Sequence, residues 1–371
     1  MTKLGIGVIG GGYMGKAHAV AMSSVGALFD TALRPSLEMV CSSTPESARR
    51  YQLAYGFRSS TADWRELIQH DDVDAVVIAS PQETHREIAL ATFALGKPVL
   101  CEKPLGAGLD DSIAMTEAAE SSGVTNMVGF NYIRTPATQF ARKLIGDGVI
   151  GDITWFRGEH TEDFYADPQT PVSWRSEGEA NGCMGDLSPH MIQCALALAG
   201  PLNSLSAAVE TVIKSRPDGK GGTGTVGNDD QGQMMCRFEN GAMGHLYFSR
   251  IATGRKMGYA YEITGTKGAI RFDQEDQNAL WLYKMDGDNA TRGFSKILAG
   301  PEHPDYLPFC QGPGHGTGYQ DQIIIEAAHF LEAIAGKTKA WPDFRVGLNV
   351  NRIVSLAHQS SRQKSWVGVD Q

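Results

Sequence analysis

The sequence has few of the features that mark secreted, membrane-spanning or nucleic-acid-binding proteins. Its six cysteines show no CxxC spacing, which argues against a zinc site and favours reduced thiols in a cytosolic protein. No run of about 18 apolar residues is present, and the first residues lead into a strand rather than a signal peptide. The net charge of −9 argues against nucleic acid or an anionic membrane as partner. We therefore expect a cytoplasmic protein without a metal.

The chain of 371 residues is too long for one ordinary core and suits two domains. Strand and helix patterns alternate at the start, which predicts an α/β domain with a right-handed parallel sheet. After Asn131 the predicted strands are joined by short turns, which indicates an α+β domain on a large, mostly antiparallel sheet. We place the two domains at residues 1–130 and 131–371.

A glycine-rich turn follows the first predicted strand, Leu4–Ile9, and precedes a helix. Its sequence, Gly-Gly-Gly-Tyr-Met-Gly over residues 10–15, fits the G-x-G-x-x-G dinucleotide fingerprint. Gly10 allows the tight turn, Gly12 lets the backbone approach a pyrophosphate, and Gly15 lets the helix pack on the strand. The alternative is a merely flexible turn, but the flanking strand and helix favour a nucleotide site.

The second predicted strand, Glu38–Cys41, ends in hydroxyl residues beginning at Ser42. NAD-specific sheets usually carry a carboxylate here to hold the ribose 2′-hydroxyl. No carboxylate at this position would repel a 2′-phosphate, so the sequence leaves NAD and NADP both open. We expect a loop over Gly26–Leu37 before this strand.

Charged residues follow a later strand of the same predicted sheet. The remaining strands are expected at Asp74–Ala79, Pro98–Cys101 and Asn126–Gly129. Glu102 and Lys103 come directly after the second of these, at the crevice where parallel strands end and ligands bind. A buried charged pair there must reach solvent, pair internally or meet a ligand. We expect Lys103 to lie at the chemistry; the alternative is a surface ion pair with Glu102.

The second half contains several predicted elements around one chemically suggestive segment. Strands are expected at Ile153–Gly158, Leu205–Ile213, Asp230–Phe238, Ala242–Ser249, Ala260–Thr264 and Ala269–Phe272, and helices at Pro136–Gly146, Tyr319–Ala335 and Gly347–Arg362. The glycine-rich segment Gly219–Gly227 is interpreted as a flexible hairpin connection. The irregular segment Lys284–Gly318 is long enough to be a lid or binding loop.

That suggestive segment is Gly-Asp-Leu-Ser-Pro-His, residues 185–190. Ser188 and Pro189 fit the cap and first position of a helix, which places His190 in its first turn and Asp186 in the loop before it. A helix N-terminus favours the neutral imidazole, which can accept a proton. A nearby carboxylate can orient that ring. The alternative is a capped helix with a surface histidine.

Taken together, these motifs resemble the glucose–fructose oxidoreductase, inositol dehydrogenase and rhizopine-catabolism (Gfo/Idh/MocA) family. The matching features are the glycine fingerprint, Ser80-Pro81 with His85, Cys101-Glu102-Lys103-Pro104-Leu105, Asn131-Tyr132, and Asp186 with His190. They occur in the family's order over nearly the whole chain. Long members that act on inositols or on anhydrosugars such as levoglucosan look most similar.

The resemblance implies an NAD(P)-dependent dehydrogenase that oxidises a secondary hydroxyl of a cyclitol or sugar to a ketone, reversibly. It implies that Lys103 holds the hydroxyl, that His190 is the general base and that Asp186 orients His190. Cofactor-binding residues are expected at Gly10, Gly12, Tyr13, Met14, Gly15, Ser42, Ser80, Pro81, His85, Glu102 and Lys103. Substrate residues are expected at Lys103, Tyr132, His160, Tyr165, Trp174, Arg175, Asp186, His190, His315 and Tyr319.

Two departures from the family pattern bear on the sugar pocket. Gln193 stands where an aspartate is common, and Ile133 stands where an arginine is common, with Arg134 one place later. Relatives also suggest two other functions, glycoside cleavage by transient oxidation and non-catalytic sensing of nucleotide and sugar. The presence of Lys103, Asp186 and His190 argues against the sensor. A homodimer or homotetramer is implied by the resemblance alone, and the particular sugar is not.

Overall fold

Parallel strands form the sheet of the first compact unit in the computed structural model, which describes residues 2–369. The strands are β1 Thr2–Ile9, β2 Leu33–Cys41, β3 Ser59–Thr61, β4 Ala75–Ile78, β5 Val99–Glu102 and β6 Asn126–Gly129. The helices between them are α1 Tyr13–Leu28, α2 Pro45–Tyr55, α3 Trp64–Gln69, α4 His85–Ala94 and α5 Leu109–Ser122. The strand order β3-β2-β1-β4-β5-β6 is that of a doubly wound sheet. The order in which the chain adds strands reverses between β1 and β4, while all strands stay parallel. The predicted α/β class is confirmed.

The central strands are continuous apolar runs because both faces of the sheet are buried. Val76, Val77 and Ile78 of β4 are all fully buried, as expected for a parallel sheet with helices on both faces. The strands therefore end abruptly where polar residues begin. Those carboxyl ends carry the glycine turn after β1, Ser80 after β4 and Lys103 after β5.

The predicted loop over Gly26–Leu37 is wrong. Helix α1 continues to Leu28 and β2 begins at Leu33. The early part of β2 is only half-buried and contains Pro35, so it lacks the apolar signal of a central strand. Because β3 pairs only with Met39–Cys41, Pro35 lies on an unpaired edge where its missing N–H costs no ladder bond.

The second compact unit is built on a large mixed sheet. Its strands are β7 Ile153–Thr161, β8 Leu202–Glu210, β9 Ser215–Pro217, β10 Thr223–Thr225, β11 Gln231–Phe238, β12 Met243–Ser249, β13 Gly258–Gly265, β14 Gly268–Asp273, β15 Ala279–Lys284 and β16 Ser295–Leu298. Its helices are α6 Pro136–Gly146, α7 Cys183–Asp186 and α8 Ser188–Ala199. The sheet order is β16-β15-β14-β13-β7-β12-β11-β8-β17, where β17 is Val367–Gly368. The central pair β7 and β12 is parallel and the other pairs are antiparallel.

Alternating burial shows that one face of this sheet is covered and the other is open. In β11, Met234, Cys236 and Phe238 are buried, while the residues between them are exposed. Helix α8 packs against β7 and β12 of the same unit. The covered face therefore supports α8, and with it His190.

Two predictions about irregular segments need correction. The glycine-rich stretch Gly219–Gly227 includes β10, which pairs with β9 in a short two-stranded hairpin. The segment Lys284–Gly318 includes β16, which extends the large sheet by pairing with β15. Strand β16 is mostly exposed and therefore has no long apolar run. Strand β10 has none either.

The compact units are discontinuous in sequence and differ from the predicted division at residues 130 and 131. Within residues 2–369, the first comprises residues 2–134 and 317–351, and the second comprises residues 135–316 and 352–369. The closing helices are α9 Tyr319–Ile334 and α10 Phe344–Gln363. Helix α9 joins the first unit because it packs along α1. Every helix within residues 2–369 is too short or too polar to span a membrane.

Candidate active site

The glycine turn after β1 has the geometry that a dinucleotide needs. Gly10 has a φ of +102°, which a side chain would strain. A Cβ on Gly15 would lie 1.8 Å from the Gly10 carbonyl oxygen, so only glycine allows the helix to start there. Gly12 meets nothing within 4 Å and leaves open space at the N-terminus of α1. These residues fit a pyrophosphate on the amides of that helix start.

Hydroxyl groups occupy the ends of the neighbouring strands. Ser47 Oγ donates to Ser42 Oγ at 2.8 Å, so the side chain after β2 is already held by helix α2. Ser80 Oγ and Thr84 Oγ1 are 2.7 Å apart at the end of β4, beside exposed Pro81. Both strand ends thus present polar groups without a carboxylate at Ser42 or Ser80.

His85 links the chain segments that follow β4 and β5. Its Nε2 lies 2.9 Å from the Ser80 carbonyl oxygen, and its Nδ1 lies 3.1 Å from that of Pro104 and 3.2 Å from that of Leu105. The ring is buried, and burial lowers the pKa of His85 despite these carbonyl contacts. The predicted cofactor residue His85 therefore acts within the protein as a clamp that positions the Lys103 segment.

The predicted pair Glu102 and Lys103 is not a simple surface ion pair. Glu102 is buried at 7% exposure and accepts a 2.7 Å hydrogen bond from His18 Nε2, while Lys103 is half-buried. The Lys103 backbone N–H also donates to Glu102 Oε2 at 3.2 Å. The partner of Glu102 is thus a histidine of α1, which the sequence analysis did not single out.

Four of the predicted residues converge on one aromatic cluster in the first unit. The Tyr13 and Tyr319 rings have centroids 6.0 Å apart, and the Tyr132 and Tyr319 rings 5.9 Å. The Tyr319 hydroxyl donates to Met14 Sδ at 3.4 Å. Burial raises the pKa of Tyr319, so its hydroxyl stays protonated near neutrality. Tyr13 remains 72% exposed beside Gly12, on the open side of the turn.

A polar stripe on α9, buried except for its half-buried member His329, was missed from the sequence. Its members are Gln322, Glu326 and His329, spaced so that they share one helix face. Asn131 Nδ2 donates to Gln322 Oε1 at 2.9 Å, and Arg134 Nη1 lies 2.7 Å from His329 Nδ1. The signal was the i, i+4, i+7 spacing of polar residues inside an otherwise apolar helix.

Two short helices carry Asp186 and His190 in the second unit. Asp186 ends α7, rather than lying in a loop as predicted, and His190 lies in the first turn of α8. Ser188 is not an N-cap: its Oγ donates to the Met184 carbonyl at 2.5 Å, because α7 and α8 are separated by Leu187 alone. His190 is 6% exposed and Asp186 is half-buried, so the element presents a sheltered imidazole near a carboxylate.

The predicted substrate residue His160 supports this element from β7. Its Nδ1 donates to the Leu187 carbonyl oxygen at 2.8 Å, and its Nε2 lies 3.2 Å from Glu162 Oε1. Its ring centroid is 5.7 Å from that of His190. Since His160 is only 1% exposed, it is placed to position the Asp186–His190 segment. Its predicted role toward substrate stays a prediction.

Tyr165 is packed into the core by two arginines. The Arg216 guanidinium lies 3.7 Å from its ring centroid and that of Arg250 lies 4.7 Å away, both in cation–π geometry. Its hydroxyl bonds Ser176 Oγ at 2.6 Å. The hydroxyl predicted to face substrate therefore already has a protein partner. Arg250 also forms a fully buried ion pair with Asp230 at 3.0 Å.

The remaining predicted substrate residues lie on irregular segments of the second unit. Trp174 is 58% exposed, with the Arg175 guanidinium 4.1 Å from its ring centroid. His315 is exposed, and its Nδ1 lies 2.9 Å from Cys310 Sγ. These side chains are accessible to a ligand, unlike Tyr165. Within residues 2–369, no group of three or more His, Cys, Asp or Glu side chains is arranged to hold a metal ion.

The two halves of the chain match two models of one family. Residues 4–130 match the oxidoreductase family model with an NAD-binding Rossmann fold, and residues 138–271 match the Gfo/Idh/MocA C-terminal domain. The chain therefore belongs to the Gfo/Idh/MocA family and is an oxidoreductase whose Rossmann domain binds NAD. The predicted family, fold, enzyme class and cofactor NAD are confirmed.

Individual relatives share the full length of the chain. Levoglucosan dehydrogenase of Pseudarthrobacter phenanthrenivorans is 37% identical over 387 aligned positions, which cover 100% of this chain and 99% of the relative. A solved structure of levoglucosan dehydrogenase in complex with NADH and levoglucosan has a TM-score of 0.96 at 38% identity and covers 100% of both chains. Inositol 2-dehydrogenase of Rhizobium meliloti is 26% identical, over 98% of each chain.

Proposed function

We propose that the chain is an NAD-dependent dehydrogenase that oxidises a secondary hydroxyl of a sugar or cyclitol to a ketone, with levoglucosan as its first candidate substrate. The observation that carries the proposal is the full-length likeness to levoglucosan dehydrogenase at 37% identity. Similarity to inositol 2-dehydrogenase, at 26% identity, widens the candidate class to cyclitols. Both halves of the chain contribute to the likeness, so it extends beyond a shared nucleotide-binding domain.

Three side chains are proposed to act on the reacting hydroxyl. Lys103 holds the oxygen and stabilises its developing negative charge. His190 accepts the hydroxyl proton, and Asp186 orients His190. The bound cofactor would supply the hydride acceptor, so the alcohol loses a hydride from its carbinol carbon and a proton from its hydroxyl oxygen and becomes a ketone. Support for these roles is the sheltered setting of each group within its own unit: His190 is buried, and Lys103 and Asp186 are half-buried.

A spectrophotometric assay tests the proposal. Purified full-length protein is mixed with NAD⁺ and, in separate reactions, levoglucosan, myo-inositol, scyllo-inositol or D-glucose, and NADH is followed at 340 nm. We expect stoichiometric NADH formation with levoglucosan above the rate for the other compounds. Absence of NADH formation with all four would contradict a dehydrogenase of this class. Loss of levoglucosan without net NADH would instead indicate cleavage by transient oxidation.

Cellular setting and assembly are also proposals. The six cysteines are free thiols and five are buried, which supports a reducing, cytoplasmic setting.

The open face of the large sheet carries exposed apolar side chains on adjacent strands, and their register places them on the same side: Trp155, Met235 and Met243. Such an apolar area supports a homodimer or homotetramer that pairs through this face. Light scattering after gel filtration measures the mass; a monomer at micromolar concentration would contradict pairing.

A further inference from the structure

Helix α1 carries a fully buried histidine that is hydrogen-bonded to a carboxylate of β5. His18 Nε2 and Glu102 Oε1 are 2.7 Å apart, and His18 is 0% exposed. Space for the carboxylate exists because residue 129 is glycine: a Cβ there would lie 2.9 Å from Glu102 Oε1. The pair is therefore built into the end of the parallel sheet, one residue before Lys103.

A second carboxyl group lies in the same interior. Glu326 of α9 is 1% exposed, and neither of its side-chain oxygens has a hydrogen-bond partner among residues 2–369. His18 Nδ1 likewise has no partner within that range. An ionised carboxylate without hydrogen bonds is costly in such a place, so the group is driven toward its neutral, protonated form.

The electrostatic surroundings place the ionisation of this group near neutrality. Burial raises the pKa of Glu326 to about 7, while His18 and Arg134 oppose that rise and Glu102 adds to it. Burial by itself lowers the pKa of His18, but the hydrogen bond and the charge of Glu102 outweigh it, so that pKa is raised. His18 and Glu326 interact, so they lose their protons as a coupled pair.

Other titratable groups near Glu102 keep one charge state over the same pH range. Burial raises the pKa of the Cys101 thiol well above its usual range and raises that of Tyr319, so both stay neutral. Burial lowers the pKa of His85, which also stays neutral. Arg134 keeps its positive charge throughout. Among these groups, the first proton released as pH rises through 7 is therefore that of the His18–Glu326 pair.

Stability gives no reason for this arrangement, because an apolar side chain at position 326 would avoid the burial cost. We propose that His18 and Glu326 are positioning residues that hold one exchangeable proton beside Glu102 and so set the charge next to the NAD site. With that proton bound, Glu102 and His18 neutralise each other. Once it is lost, the trio carries one net negative charge at the carboxyl end of β5.

The charge change has a defined consequence for the cofactor. NAD⁺ carries a positive nicotinamide and NADH a neutral one, so an added negative charge favours the oxidised form. We expect the ratio of the NAD⁺ to the NADH dissociation constant to fall by about fivefold between pH 6 and pH 8.5. The inference rests on the NAD-binding role of the proposed function, but it concerns cofactor affinity alone and needs no sugar.

Fluorescence titration of full-length protein tests the inference. NADH binding is measured directly and NAD⁺ binding by competition from pH 5.5 to 8.5, in wild type and in Glu326→Gln. The wild-type ratio should change with a midpoint near pH 7, whereas in Glu326→Gln it should stay flat. Glu332→Gln, on the same helix and half-buried, removes an equal formal charge and should behave as wild type.

A second variant distinguishes a role in holding the exchangeable proton from a role in packing alone. In His18→Gln, the positive neighbour that lowers the pKa of Glu326 is lost, so the midpoint should move to higher pH. A pH-independent ratio in wild type, or an equal pH dependence in Glu326→Gln, would overturn the inference. If Glu326→Gln does not fold, an unshifted midpoint in His18→Gln overturns it instead. Sugar oxidation plays no part in these measurements, so a wrong substrate assignment leaves their result intact.

Discussion

His160 and Leu187 are joined by a 2.8 Å hydrogen bond between an imidazole Nδ1 and a main-chain carbonyl oxygen. A carbonyl can only accept, so the hydrogen lies on Nδ1 of His160. Leu187 lies between α7, which ends at Asp186, and α8, whose first turn contains His190. The bond therefore connects the central strand β7 to the junction between the two helices that carry Asp186 and His190.

Replacing His160 by Phe should impair turnover without weakening cofactor binding. The change keeps a ring of similar size but leaves the Leu187 carbonyl without its donor, which costs roughly 1–3 kcal/mol. We expect kcat on the identified sugar to fall by about tenfold or more, with the NADH dissociation constant unchanged. His245→Phe, on the open face of the same sheet, is the matched control. Unaltered kcat in His160→Phe would contradict a positioning role.

Removing Lys103 or His190 should lower turnover strongly while NADH still binds. Loss of an oxyanion-stabilising group typically costs about a hundred- to thousandfold in kcat, and loss of a general base is similar. We expect Lys103→Met and His190→Asn each to fall in that range. NADH fluorescence titration then checks that binding survives in both variants. Wild-type turnover in either variant would contradict its assigned role.

Ser42→Asp should sharpen the preference for NAD⁺ over NADP⁺. The serine presents a hydroxyl, held by Ser47, where a carboxylate would bind the ribose diol and repel a 2′-phosphate. We expect the kcat/KM ratio of NAD⁺ to NADP⁺ to rise by at least tenfold in the variant. Ser43→Asp, one residue further on, is the control for added charge alone. An equal rise in both variants would show that the position of the carboxylate is unimportant.

Glu326 should also make folding stability depend on pH. Its pKa is raised by burial in the folded protein to about 7 from its ordinary value of 4.5. From about pH 4.5 to 7 the folded state keeps a proton that the unfolded state has lost, so the native state loses stability as pH rises. The shift corresponds to about 3 kcal/mol. Relative to wild type, Glu326→Gln should therefore gain thermal stability between pH 5 and 8, measured by scanning calorimetry. An unchanged difference in melting temperature would contradict the raised pKa.

Arg250 should be among the most sensitive positions of the second unit. It pairs with the fully buried Asp230, and its Nη1 also donates to the carbonyls of Arg175 and Asn181. Arg250→Leu leaves an uncompensated buried charge, which costs about 3–5 kcal/mol of unfolding free energy. Arg255→Leu removes only exposed ion pairs with Glu159 and Glu275 and should cost less than about 1 kcal/mol. Denaturant unfolding of both variants compares the two.

Periodicity and turn residues predicted most of the architecture. Helix Pro136–Gly146 and strand Asn126–Gly129 have the predicted bounds. Those elements have a clear apolar pattern and a glycine or proline at their ends. Strand β3 and the beginning of β2 were missed because they are short, polar or at an edge of the sheet, where burial imposes no pattern.

In the candidate site, too, the features specified by neighbouring residues were predicted, whereas the contacts between distant residues were not. The positions of Gly10, Gly15 and Lys103 follow from local rules, since a tight turn or a strand end is specified by neighbouring residues. The hydrogen bond of Glu102 to His18 and its charge interaction with Glu326 could not be predicted, because these residues are 84 and 224 positions distant in the chain. The sequence alone also gave no reason to place Tyr165 in the core, between Arg216 and Arg250.

By itself, then, the sequence determined the class of the protein: a nucleotide-binding sheet followed by a domain on a mostly antiparallel sheet, with a lysine and an aspartate–histidine pair available for hydroxyl oxidation. These are consequences of local patterns and of motifs with fixed spacing. Tertiary structure alone decided which polar groups are buried and interact electrostatically, as His18, Glu102 and Glu326 do. Burial sets the cost of a charge and hence the pKa of each group, and it arises only when distant segments pack together.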